Sequence, residues 1–209
     1  MKEEAMRKPL ILFFLLLAFS PVCALAADNG PRTIAGITLG EDISTAKDKV
    51  NMASASSTWS HPYLTRVEVP DLPGFKWGYI TYGNCAKPGR IVRIKLKYEN
   101  ESLDFFKRLL AAYKKRFGGS PQWRGNAFGT LRTWKWGFDD GDMGDISLIL
   151  QHYSGDDDTY SDGNTVRLAA RDRMVEEREC WLKKQKEAGG RGDHEAGEWT
   201  GDIEDLLPR

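Results

Sequence analysis

The residues best equipped for chemistry are a run of carboxylates. Asp156, Asp157, Asp158 and Asp162 stand close together and are followed by Gly163 and Asn164. Calcium takes about six to eight oxygens, and closely spaced aspartates can supply them. Asp158 and the Asp162-Gly163 pair match three positions of an EF-hand loop. Tyr160 stands where an oxygen ligand is needed, and Ala169 where the bidentate glutamate belongs. An EF-hand is therefore excluded. A different calcium site on Asp156, Asp158 and Asp162 and a plain solvated loop both remain open. The same two readings apply to Asp139, Asp140, Asp142 and Asp145. Of the histidines, His194 lies in a polar tail, while His61 and His152 lie near strand-like segments. His152 precedes Tyr153 and Ser154. No nucleophile elbow, zinc-type histidine pair or phosphate-binding glycine loop accompanies it. Catalysis thus ranks below binding, with an unrecognised hydrolase as the last alternative. The chain has seven tryptophans, enough for a sugar-stacking platform. Trp134 and Trp136 alternate in phase with Phe138, which favours a core strand for them, since tryptophan is heavily buried on average. Trp77 and Trp123 fit either role.

Charge excludes one class of partner. The 209-residue chain carries 30 basic and 30 acidic residues. A nucleic-acid binder would show a basic excess. At the start, Lys2, Arg7 and Lys8 precede the apolar run Leu10 to Phe19, then Pro21 and Ala24-Leu25-Ala26. This is the pattern of a secretory signal peptide, residues 1–26, cleaved after Ala26. The run is short for a membrane span and Pro21 breaks it. No second run of spanning length follows, so no membrane span is expected in the exported chain, in the periplasm or outside the cell. Cys23 leaves with the signal, and Cys85 and Cys180 remain. In an oxidising compartment that pair is expected as a disulfide. No His or Cys stands near either in sequence, which argues against a zinc site.

The elements that must position these groups follow from periodicity. Thr33 to Leu39 reads as a strand, and Asp42 caps a short helix with Ile43, Ala46 and Val50 on one face. Asn51 to Ser60, rich in Ser and Ala, reads as a loop, with Trp59, His61 and Tyr63 folding back onto the body. Strands are expected over 64–69, 76–82 and 90–99. In the last, Val92, Ile94, Leu96 and Tyr98 alternate with Arg93, Lys95, Lys97 and Glu99, the mark of a half-buried antiparallel strand. Ser102 caps the best-patterned helix, where Leu103, Phe106, Leu110, Tyr113 and Phe117 share a face. Gly118 and Gly119 end it. Residues 128–138 and 145–153 form a hairpin, 166–170 a last strand and 173–187 a last helix with Met174, Val175, Trp181 and Leu182 as its stripe. The order suggests a helix-plus-three-strand unit occurring twice, although no sequence repeat accompanies it. Residues 27–189 are expected to form the exported domain. Residues 190–209 read as a disordered acidic tail. Within it Trp199, Ile203, Leu206 and Leu207 are spaced to dock as a helical turn in a partner's groove, with a frayed tail as the alternative.

The run Ile34-Ala35-Gly36-Ile37-Thr38-Leu39-Gly40, followed by Glu41-Asp42-Ile43, resembles the opening of the β-lactamase-inhibitor-protein and SmpA/OmlA-like exported modules. The resemblance covers about residues 34–50. It implies a small sheet packed on helices and used for binding rather than chemistry. The expected fold class is α+β, a single domain with a mostly antiparallel sheet against two or three helices. The expected role is a non-enzymatic exported binding module for an envelope or extracellular protein. The alternative is a calcium- or carbohydrate-binding domain, and no other cofactor is expected.

Overall fold

The alternation along β6 (Ile91–Tyr98) decides which side of the sheet is dry. Ile94 and Leu96 are fully buried, and Tyr98 nearly so. Ile94 faces Leu168 on one neighbouring strand and Ile80 on the other, and Leu96 faces Val166. Directly opposed residues share a face in an antiparallel sheet. One face is therefore built of isoleucine, leucine and valine. The other carries Arg93, Lys95 and Lys97.

The computed structural model of the protein describes residues 30–189. The expected signal peptide and the Trp199–Leu207 segment fall outside those residues. A hairpin of β1 (Thr33–Ile34) and β2 (Ile37–Thr38) leads into a 3-10 helix, Ile43–Lys49. Then come β3 (Asn51–Thr58), β4 (His61–Val69), β5 (Phe75–Gly83), β6, α1 (Leu103–Phe117), β7 (Gln122–Trp123), β8 (Leu131–Asp140), β9 (Gly144–Tyr153), β10 (Gly163–Ala170) and α2 (Arg171–Glu187). β3 to β10 form one antiparallel sheet in the order β3-β4-β5-β6-β10-β9-β8-β7. Two four-strand meanders thus meet at a β6–β10 seam. Exchanging the halves by a half-turn about an axis through that seam reproduces the order. Each meander follows a helix, the 3-10 helix in one case and α1 in the other. The order of elements recurs in the two halves, with four strands after each helix rather than three. Among the described residues no helix is long and apolar enough to cross a membrane.

α1 covers part of the dry face. Ser102 Oγ accepts the Phe105 N–H (3.3 Å) at its start, and the Gly118 N–H donates to Lys114 at its end. Gly118 adopts a positive φ there, which glycine takes at little cost. Phe106 is buried, Tyr113 packs on Trp136 and Phe117 on Phe138. Full burial of a side chain such as Phe106 contributes about 1.5–3 kcal/mol. The Tyr98 hydroxyl hydrogen-bonds that of Tyr113 (2.8 Å) inside this layer. Trp136 is a core residue, as its phase with Phe138 predicts.

Several expectations need correction. Residues 33–39 are a hairpin, because Ala35 and Gly36 both have positive φ and turn the chain back. Residues 51–58 are an edge strand, not a loop. An edge needs only one neighbour, so no hydrophobic alternation marks it. Its pairing with β4 is irregular, and Ser54 Oγ accepts the Glu68 N–H. Trp59 does not fold back: it is 99% exposed at the β3–β4 turn. β7 is too short to carry a pattern. Of the stripe assigned to α2, Met174, Trp181 and Leu182 are half-buried, and Val175 does not belong to it. Val175 is 51% exposed, and the buried residue is Glu177.

Candidate functional site

The second face of the sheet is the open one. Its central row is set by register: Glu68, Tyr79, Lys95, Arg167, Ile149 and Lys135 lie side by side on β4, β5, β6, β10, β9 and β8. α2 covers one end of this face and the loop 154–162 approaches the other. Between them lie two cavities of about 520 and 470 Å³ that share Arg124, Ile149 and Arg167 in their walls. The row therefore forms the floor of a cleft.

α2 is held over the sheet by a buried carboxylate and a disulfide. Glu177 accepts the backbone N–H groups of Cys85 (2.7 Å), Ala86 (3.0 Å) and Lys87 (2.6 Å). Three convergent N–H donors compensate a buried anion. A Cβ on Gly83 would lie 2.3 Å from Glu177 Oε1, so only glycine admits the carboxylate there. Cys85 and Cys180 form the expected disulfide, with Cα atoms 5.8 Å apart. The two cysteines are 95 residues apart in sequence, and by the chain-entropy account closing a loop of that length stabilises the fold by about 4–5 kcal/mol.

Cations dominate the cleft floor. Arg167 and Lys95 are directly opposed, and Arg93 lies one step along, diagonal to Arg167. Like charges directly opposed, as Lys95 and Arg167 are, destabilise a sheet. The Arg167 side chain has no hydrogen-bond or ion-pair partner among the described residues. Lys95 Nζ donates to Ser161 Oγ (2.9 Å). Arg93 Nη2 reaches Met174 Sδ (3.4 Å), while its Nε is buried without a partner, as is Thr133 Oγ1 on the wall. Burial first, then the charges of Arg167, Arg66 and Arg93, hold the Lys95 ammonium below its usual pKa. Burial and the Arg93 charge do the same to Arg167. The acids of the α2 end are already engaged. Asp145 pairs with Arg171 (3.0 Å), and Asp172 accepts the Asp145 N–H. Tyr79 belongs to the row, with the Arg66 guanidinium 4.2 Å from its ring centre and Trp77 stacked beside it.

Of the residues singled out from the sequence, Asp145 and Asp158 line the two cleft cavities and Trp77 lies on the open face, while the others sit elsewhere. Asp156, Asp157 and Asp158 are exposed on the loop 154–162, and Asp157 accepts the Thr159 N–H. Asp162 is exposed at the end of that loop. Among the described residues no group of three or more His, Cys, Asp or Glu is placed to hold a metal ion. Asp140 is enclosed and paired with Arg32. His152 is buried on the dry face against Phe106, and its Nδ1 meets Asn164 Oδ1 (2.8 Å). Asn164 Nδ2 donates to the carbonyls of Asn100 and Ser102 at the head of α1. His152 thus organises a helix start through Asn164. Trp123 packs on Trp134.

The cleft cations were legible only in part. Arg93, Lys95 and Lys97 show as the outer side of a strand. Arg167 shows as a lone charge in an otherwise apolar strand. That the two strands are neighbours, in a register that opposes Lys95 to Arg167, is a long-range fact. No protein-family model, curated protein or solved structure matches the chain.

Proposed function

We propose that the chain is a non-enzymatic exported binding module that engages its partner through the open face of the sheet. The observation carrying this is the cleft. The middle of a large sheet is left uncovered between α2 and the loop 154–162, and its floor holds polar and cationic side chains with unmet hydrogen-bonding capacity. A concave site with a few convergent polar groups is the general form of a ligand site. Export is supported by the signal-like first 26 residues and by a disulfide of the kind that persists in oxidising compartments. The short resemblance to exported inhibitor and SmpA/OmlA-like modules agrees with a binding role. The test is co-purification from the native cell envelope with three versions of the chain: wild type, a version ending at Gly189, and Tyr79→Ala/Arg167→Ala. Loss of the bound molecule in the open-face variant alone supports the reading. Loss on truncation alone moves binding to the Trp199–Leu207 segment and overturns it.

A second reading rests on Trp77 and Tyr79. Their rings are 6.4 Å apart and inclined by 25° on the open face, and Trp77 is 36% exposed. Such a surface suits stacking against a sugar, and Trp77→Ala would then abolish glycan retention.

A further inference from the structure

We propose that the cleft floor holds a compact oxyanion of the phosphate class at the triad Arg93, Lys95 and Arg167. This rests on the open-face reading and names the ligand chemistry of that same site.

The first argument is register. Directly opposed side chains on neighbouring strands have Cβ atoms about 4.5–5.5 Å apart, and diagonal neighbours lie about 7–8 Å apart. Lys95 and Arg167 are opposed and Arg93 is diagonal to Arg167, so three cations bound one small area. The second argument is the lack of internal neutralisation. Among the described residues no carboxylate forms an ion pair with any of the three. Lys97, next along β6, does have one in Glu101 (2.9 Å). The contrast shows that this face accommodates an acid where a cation requires one. The third argument is hydrogen-bonding capacity. The Arg93 Nε is buried and unpartnered, the Arg167 guanidinium has no hydrogen-bond or ion-pair partner among the described residues, and Lys95 uses one of its three N–H groups on Ser161. Guanidinium groups present paired N–H donors that match the oxygens of a tetrahedral anion. A single carboxylate would leave the triad net positive, whereas a phosphate dianion would neutralise most of it. Arg167 stands where the two cavities meet, with Arg93 lining the one at α2 and Lys95 the one at the loop 154–162, so the triad is a compact patch rather than a stripe along an edge, which suits a small group more than a long polyanion.

The experiment uses the mature chain with inorganic phosphate as probe, followed by calorimetry and by melting temperature at matched ionic strength in chloride. The expected result is saturable one-to-one binding and a melting temperature that rises with phosphate. Arg167→Ala and Lys95→Ala should each weaken binding by about tenfold or more. Without phosphate, Arg167→Ala should melt no lower than wild type, because it removes an opposed like charge. Arg167→Gln keeps the side-chain length and guards against a packing effect. Glycerol phosphate is the second arm. Tighter binding than phosphate assigns an organic phosphomonoester, and equal or weaker binding assigns the free ion. Absence of saturable phosphate binding, or binding that survives both single substitutions, overturns the proposal. If Tyr79→Ala/Arg167→Ala loses the envelope ligand while phosphate fails to bind wild type, the oxyanion is wrong and the open face stands. If phosphate binds through the triad but that double variant still retains the envelope ligand, the open-face function is wrong and the anion site stands.

Discussion

Replacing Glu177 by glutamine tests how α2 is fixed over the sheet. Oε2 of Glu177 accepts two backbone N–H groups and Oε1 accepts a third, in a site 2% exposed. Glutamine has one carbonyl oxygen. It can keep the Cys85 and Ala86 bonds, but its amide nitrogen then faces the Lys87 N–H, donor against donor. One charge-assisted bond is lost outright, worth about 1.5–3 kcal/mol, and the other two drop to neutral strength. The expected destabilisation is about 3 kcal/mol. Urea unfolding of the oxidised protein, followed by tryptophan fluorescence, measures it. Amide exchange at Cys85, Ala86 and Lys87 should quicken in parallel. Gly83→Ala reaches the same site from the other side, since the atoms nearest the new Cβ all belong to Glu177. Its cost should largely vanish in a Glu177→Ala background, as coupled neighbours do in a double-mutant cycle. A loss below about 0.5 kcal/mol for Glu177→Gln, the size of an ordinary surface change, would refute the reasoning.

Other outcomes follow from the same geometry. Intact mass with alkylation should show Cys85 and Cys180 unreactive until reduction, and Cys85→Ala/Cys180→Ala should lower stability by about 4–5 kcal/mol in urea titrations. Asp140→Asn should cost about 2 kcal/mol near neutral pH, since Arg32 hydrogen-bonds that carboxylate and holds its pKa below the usual range. Because the folded pKa is the lower one, this contribution is fully present above about pH 4 and fades as pH falls through the folded value. The wild-type and variant curves should therefore converge in acid. Trp59→Ser should leave stability within about 0.5 kcal/mol, the side chain being almost wholly exposed.

How much of this was legible in the sequence depends on range. α1 could be read with its cap, stripe and glycine stop because all three signals are local. The alternation of β6 gave its buried face for the same reason. β3 was missed because an edge strand of Ser and Ala lacks a dry side to pattern, and β7 because two residues carry no period. Glu177 hid in α2 because a charged residue in a helix reads as solvent-facing. Its three partners lie 90 to 92 residues earlier. The loop of aspartates drew attention by composition; its carboxylates are exposed, and Asp158 lines a cleft cavity. The cleft triad is formed by the β6–β10 seam, a pairing between residues about 70 positions apart that no local period records.

That seam has a consequence for how the molecule holds together. β6 and β10 are the last strands of their meanders, and each would be a bare edge if the other half were absent. The chain therefore behaves as a dimer whose two subunits are tethered in series, with assembly set by tether length rather than by protein concentration. The Cys85–Cys180 bond closes a second tether from the first unit to the helix following the second. Were the seam to open, the two edges would remain confined near each other, and rejoining would outpace capture by another molecule.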